Sequence, residues 1–334
     1  MGRGPKAAEE SGGGRSRLQR YLAERLVQLV AVLFVVSVIV FTLVRLIPGD
    51  PATVQLGSES TPQALAALRT DLGLDRPLWV QYGLWVKNLL RGDFGQSWVS
   101  KQSPLALIRR FLPATLQLMG GAFAIALVIA FPAGILAARY PRSWLDRAIT
   151  GFALMGVSLP SFWLGIMLIL AVALRTGWFP PSGYAPFWVD PVQAVRTTTL
   201  PAFTLGVGLA APLSRFLRSG MLDVLGTEYI RTARAKGLAE RAVVVRHALK
   251  NAMLPVVTVL ALQVGTLVGG TFVIEQVFAW PGIGRLSLTA IQHRDYAIIQ
   301  AVVLLVAGGF VLINFLVDAV YVWLDPRIRF EAER

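Results

Sequence analysis

Six stretches of this chain are long and apolar enough to cross a membrane, and they constrain its fold more than anything else in it. A spanning helix needs ~20 mainly apolar residues. Leu26–Val44, Ala114–Ala138, Ala148–Leu174, Thr197–Ser214, Ala252–Ile274 and Tyr296–Val317 qualify. The fourth is shorter than the rest and carries Pro201, Gly206, Gly208 and Pro212. Inside lipid every backbone N–H and C=O must be paired within the protein, so runs of this length are read as helices. The expected fold is an all-α integral membrane protein with six transmembrane helices. Composition agrees: 55% of the 334 residues are hydrophobic and only 15% charged, against about 25% in an average soluble domain. The absence of cysteine excludes disulfides, Cys-ligated zinc, iron–sulfur clusters and a thiol nucleophile. Two histidines, His247 and His293, leave little for His-based metal sites.

Basic residues set the orientation. With the N-terminus inside, the cytoplasmic segments 1–25, 139–147, 215–251 and 324–334 hold 20 Lys and Arg. The short external segments 175–196 and 275–295 hold 4. The external segment 45–113 holds 8, but long loops cross largely regardless of charge. N-in, C-in is therefore expected, and the net charge of +13 is read as positive-inside charge rather than a nucleic-acid surface. The expected organisation is a disordered basic cytoplasmic tail over 1–20 and a retained first span over 21–47. An external helical segment over 48–113 follows, then a five-helix core over 114–330. The first apolar run is too long for a signal-peptide core, and Arg45-Leu46-Ile47-Pro48 follows it in place of a small-residue cleavage site.

The external segment carries its own helices. Ser60–Leu72 has Ser60 or Thr61 as N-cap and Pro62 in its first turn. Leu78–Leu90 is amphipathic, with Trp79, Tyr82, Trp85 and Leu89 on one side, and the run from Arg91 to Gly95 breaks it. Two readings stand side by side here: a small cap with interfacial aromatics, and a docking platform for an external partner.

The cytoplasmic segment 215–251 holds the most informative residues. Thr227 caps a short helix with Glu228 in its first turn, and Gly237 ends it at C′. Tyr229, Ala233 and Lys236 share a face, and small Ala233 and Ala235 allow another surface to approach the backbone. A second helix, Ala239–Asn251, leads into the fifth span. On composition alone, an ordinary basic loop explains this segment as well.

The run EYIRTARAKGL from Glu228 to Leu238, with RHALKNA from Arg246 to Ala252 and then Pro255, resembles the coupling signature of ABC-importer permease subunits of the dipeptide/oligopeptide (peptide/nickel) branch. The same branch is matched in order by RLIPGDP from Arg45, LGLDRP from Leu72, GDFGQS from Gly92, SLPSFW from Ser158, Gly270, Glu275, FAWPGIG from Phe278, Arg294-Asp295 and DPRIR from Asp325. The resemblance covers about residues 20–330, and the long segment after the first span resembles the first (B-type) permease of a pair. In one respect the chain departs from the general pattern: where many ABC permeases carry Glu-Ala-Ala before the glycine, it has Arg231, Thr232 and Ala233. The resemblance implies a non-catalytic subunit that forms half of a pathway with a second homologous permease. It implies two cytoplasmic ATPase subunits, which would hold the ATP and magnesium, and an external substrate-binding protein. No cofactor is expected on this chain, and no Gly-x4-Gly-Lys-Ser/Thr phosphate loop occurs in it. The implied ATPase contact lies in the 227–237 helix, on Tyr229, Arg231, Ala233, Ala235, Lys236 and Gly237.

Glu275, Pro160 and Asp318 are candidates for the pathway or its gate. Glu275 ends the fifth span, where gating and loop anchoring are equally open. Asp318 is also readable as an interfacial partner of Arg215 or Arg218. Phe94, Phe278, Trp280 and Pro281 are candidate contacts for the binding protein, with 278–284 expected as an external turn or re-entrant piece. Pro160 and the Pro201–Pro212 pair are expected to kink their helices. Gly265 and Gly269 form a G-x-x-x-G element suited to close helix packing, within the chain or against a second permease. The branch carries dipeptides, oligopeptides, glutathione, nickel chelates and some sugars; di- or oligopeptides are the first expectation. A self-contained secondary transporter is the alternative outside the branch, and a membrane-embedded enzyme would need more intramembrane carboxylates than this chain has.

Overall fold

Each apolar stretch becomes a helix, as the backbone argument requires. A computed structural model describes the chain over residues 9–46, 61–71 and 73–324. The expectations on residues 1–8, most of RLIPGDP and all of DPRIR lie outside the described residues, as does the side chain of Asp318. The described helices are α1 Glu9–Leu46, α2 Pro62–Asp71, α3 Leu78–Leu90, α4 Pro104–Arg139 and α5 Trp144–Ser158. They continue with α6 Ser161–Thr176, α7 Pro191–Leu225, α8 Glu228–Ala235, α9 Leu249–Val277, α10 Ile283–Gln292 and α11 Tyr296–Leu324. Five helices have the length and hydropathy to cross a membrane, and α5 with α6 makes six if that bent pair counts as one span.

Two expectations change. The first helix begins at Glu9, so the tail is helical from there rather than irregular to residue 20. Glu9 and Glu10 sit at its N-terminal end, where acidic residues favour the helix dipole. The third span is not one helix: α5 and α6 meet at 102°. Leu159 precedes a proline and is driven out of the α region to φ −80, ψ 126. Each arm is about 23 Å long, shorter than a ~30 Å hydrocarbon core. Pro201 and Pro212 lie inside α7, which runs unbroken for 35 residues. Most of that helix is enclosed by its neighbours, which hold the turns around each proline. As expected for 239–251, Glu240–Ala242 passes through a π-helical stretch, Val243–Ala248, directly into α9.

The chain divides into two packed bodies, residues 1–104 with 294–315 and residues 105–293 with 316–334. In the first, α3 packs on α1. Tyr82 makes edge-on ring contacts with Phe34 and Phe41 and shares a 2.8 Å hydrogen bond with Ser37 Oγ. Gln81 accepts from Arg45 Nε and Nη2 at 3.0 and 2.7 Å and donates to the carbonyls of Leu74 and Arg76. Thr61 caps α2 as its position suggested, accepting from the Ala64 amide at 3.2 Å. The chain between α3 and α4 is tied to the start of α11 by a buried bond of 2.5 Å from Ser97 Oγ to Asp295 Oδ2.

In the second body α7 is the central helix. Its Leu200, Leu205, Leu209, Leu213, Leu217 and Met221 enter one core with alanines of α4 and valines of α9. Small residues set the approach of these helices. A Cβ on Gly206 would meet Ala122 O and Ile125, and one on Gly134 would meet Leu217. Gly270 faces Leu205 in the same way, whereas nothing approaches Gly269. Packing within the chain therefore uses Gly270 and leaves that glycine of the G-x-x-x-G element uncovered.

Candidate functional site

Most of the residues singled out in the sequence fall into two places in the second body. At one, α7 ends and α8 begins. Thr227 holds the N-cap position, but its hydroxyl donates back to Val224 O at 2.6 Å and leaves the first α8 amides uncapped by it. Gly237 ends the helix in the left-handed region at φ +76. The Gly237 amide bonds Arg234 O at 2.9 Å and the Leu238 amide bonds Ala233 O at 3.4 Å, the two bonds of a Schellman cap.

The α8 face divides. Ile230 and Ala233 point inward and join the core that also holds Val243, Val244 and Ala248. Ala233 is 8% exposed, so it is a packing residue of this chain and not open to another surface. Arg231, Ala235, Lys236 and Gly237 are exposed. Tyr229 sits at the edge of the helix. Its hydroxyl donates to His247 O at 2.9 Å and accepts from Asn251 Nδ2 at 2.6 Å, which fixes α8 to the helical run that becomes α9.

Charge adds a second tie. Glu240 receives Arg234 at 2.9 Å and Arg139 at 2.6 Å, joining α8, the following turn and the end of α4. The Arg234 hydrogen bond holds the Glu240 carboxyl below its usual range and holds Arg234 above its own. Nearby, Arg218 of α7 forms a two-pronged pair with Asp146 of α5 at 2.6 and 2.7 Å. Asp146 is buried, and its second oxygen also accepts the Arg142 amide at 2.9 Å. Both prongs of Arg218 are thus engaged by Asp146. The sequence marked each residue, though not their pairing: Ser143 three residues before Asp146 marks a helix start, and Arg218 lies inside an apolar helix.

The other place is the turn after α9. Glu275 is fully buried. Thr115 Oγ1 of α4 donates to its Oε1 at 2.6 Å, and the Arg285 amide donates to its Oε2 at 3.0 Å. Thr115 in turn accepts the Ile283 amide at 2.8 Å. A Cβ on Gly282 would fall on the Glu275 carboxylate, so only glycine fits there. Of the two roles open to Glu275, this is the geometry of loop anchoring. Ala279 takes φ +49 and closes α9 with Schellman bonds, Ala279 N to Gln276 O and Trp280 N to Glu275 O.

Two binding-protein candidates move inward. Trp280 is 0% exposed, donates from Nε1 to Ala114 O at 2.9 Å and stacks edge-on with Tyr184. Phe278 lies over Gly165 of α6 and is buried too. Both were read as surface aromatics because the run looked like an external turn; the Schellman cap folds them back under it. Pro281 and, in the first body, Phe94 stay half-exposed, and Pro160 is exposed at the α5–α6 break.

Comparison with known proteins follows the same outline. Residues 130–330 match the family described as binding-protein-dependent transport system inner membrane component, and residues 18–119 match its N-terminal counterpart. The glutathione transport system permease protein GsiC of Escherichia coli is 43% identical over 313 residues, covering 93% of this chain and 99% of that one. The protein of the same name from Shigella dysenteriae has the same identity and coverage. A solved inward-facing structure of the MetNI methionine ABC transporter superposes with a TM-score of 0.54 at 21% identity, covering 66% of this chain and 96% of that one. That likeness concerns the fold.

Proposed function

We propose, on the premise that this chain belongs to the family of binding-protein-dependent transport system inner membrane components, that it is one permease of a pair importing short peptides of the glutathione class. It is a multi-pass inner-membrane protein. In this proposal it lies N-in and C-in, ATP is hydrolysed on two separate cytoplasmic subunits, and an external protein delivers the peptide.

The observation that carries the coupling part is the divided face of α8. Its inner face is rooted in the core through Ile230 and Ala233, and its outer face, with Arg231, Ala235, Lys236 and Gly237, is open. An ATPase groove gripping the outer face would move α8 as a rigid lever. Tyr229 and the Glu240 cluster would pass that movement to α9 and α4. Such a change is a rigid-body shift between packed states, with no covalent chemistry on this chain. The peptide class is supported by the 43% identity to glutathione permeases.

The test is ATP turnover by the complex purified through this chain and placed in vesicles with its binding protein. Glutathione is expected to stimulate turnover, and Ala235→Trp to abolish the stimulation while the subunits stay associated. Stimulation that survives Ala235→Trp would remove α8 as the coupling element. Uptake by the chain with no ATPase subunit would overturn the importer reading in favour of a self-contained transporter.

A further inference from the structure

We propose that α3, although it lies in the segment expected to be external, is embedded in the lipid alongside α1, with Trp79 and Leu90 facing acyl chains rather than water or a protein partner. The argument begins with depth. Arg45 is the first charge after the apolar run of α1, and a run of ~20 residues is needed to cross the hydrocarbon. Phe41 lies about 7 Å and Phe34 about 18 Å along the helix from Leu46, at ~1.5 Å per residue. Tyr82 touches both rings, at 5.2 and 6.4 Å between centroids, and bonds Ser37 between them. Trp85 reaches Phe41 at 5.7 Å. A helix resting on top of the membrane could not make these contacts; α3 must lie beside α1 within the bilayer.

The composition of α3 fits that depth. In LWVQYGLWVKNLL the one charge is Lys87, and the remaining polar side chains are Gln81, Tyr82 and Asn88. Gln81 is buried and spends its amide on Arg45 and two loop carbonyls. Tyr82 spends its hydroxyl on Ser37. A helix apolar on most of its circumference belongs in a core or in lipid. Yet its far side is open among the described residues: Trp79 is 76% and Leu90 82% exposed.

Continuity supplies the occupant. Val35, Val38, Ile39 and Leu43 of α1, apolar and exposed, lie in a membrane span, where Thr42 is the one polar residue exposed among positions 30–46. They meet lipid, and the open side of α3 extends the same apolar surface. Lys87 has the long apolar stem that lets an ammonium reach the headgroups from there.

The chain has no cysteine, so single-cysteine variants label at one position only. Trp79→Cys and Leu90→Cys, both at exposed positions, would carry a nitroxide in the full chain reconstituted in phosphatidylethanolamine–phosphatidylglycerol vesicles. Collision with oxygen, which concentrates among acyl chains, is compared with collision with water-soluble chromium oxalate. Leu43→Cys on α1 is the lipid reference and Gln96→Cys the water reference. Oxygen access at 79 and 90 equal to that at 43, with chromium access several-fold below that at 96, is the expected result. Chromium access matching position 96 would put α3 in water and overturn the proposal. An immobile nitroxide reached by neither reagent would mean that protein covers α3, and would overturn it equally.

Discussion

The C-terminal ends of α8 and α9, both within the second body, close with the same pair of hydrogen bonds and serve opposite purposes. After α8 the left-handed residue is Gly237, and nothing lies within 4 Å of where its Cβ would be. After α9 it is Ala279, an L-residue in a region that costs about 1–2 kcal/mol to occupy. Glycine stands at the open end, where the backbone itself is on the surface. Alanine is tolerated at the other because Trp280, Phe278 and the Glu275 bonds hold the turn from inside. One end is defined by what it leaves free and the other by what it encloses.

The sharpest way to break the contrast is to hollow out the enclosed end. Trp280→Ala removes a fully buried indole and its bond to Ala114 O. A loss of about 3–5 kcal/mol is expected, read as a large fall in the thermal midpoint of the purified protein. Glu275→Gln comes next. The new NH2 faces either the Thr115 hydroxyl or the Arg285 amide, both of which donate in the native turn. A cost of about 1–3 kcal/mol follows, and Gly282→Ala, aimed at the same carboxylate, should match or exceed it.

At the open end the effects separate stability from function. Ala233→Trp overpacks a buried site and should cost about 1–3 kcal/mol, whereas Ala235→Trp should leave the thermal midpoint unchanged and abolish coupling. Equal stability losses for both would erase the division of α8 into two faces. Exchanging the left-handed residues is milder. Gly237→Ala should destabilise by about 1 kcal/mol and Ala279→Gly should stabilise by up to about the same amount.

The smallest expected effect is on pH. Glu240 is held below its ordinary value of 4.5 chiefly by Arg234. A lowered carboxyl pKa contributes stability above the ordinary value and loses it as pH falls through the folded one. The groups are partly exposed, so the contribution is under about 1 kcal/mol. Protection factors of the α8 amides, which are corrected for the intrinsic pH dependence of exchange, should therefore fall slightly below pH 4.5 relative to neutral pH. Glu240→Gln should flatten that dependence.

What was legible in the sequence is what depends on local rules. The caps at Thr61 and Gly237, the α3 limits at Leu78 and Leu90 and the apolar runs all follow from neighbouring residues. The break at Pro160 was legible as a kink, but its 102° was not, because the angle is set by what the two arms pack against. The candidate site was half legible. Periodicity placed Tyr229, Ala233 and Lys236 on one face, yet the core takes Ala233 and leaves Lys236 outside. The Asp146–Arg218 pair spans 72 positions and Glu275–Thr115 spans 160. No local pattern encodes partners that far apart, and the Schellman turn that buries Trp280 uses an alanine where the rule of thumb looks for glycine.

The buried Ser97–Asp295 bond joins positions 198 residues apart. At ~5–20 residues per second of synthesis, Asp295 emerges about 10–40 s after Ser97. The first body, made of residues 1–104 and 294–315, stays open for that whole interval while most of the second is being produced. Its unfinished edge is therefore the part of the nascent chain most dependent on the insertion machinery, and truncation before Asp295 should expose it to membrane proteases.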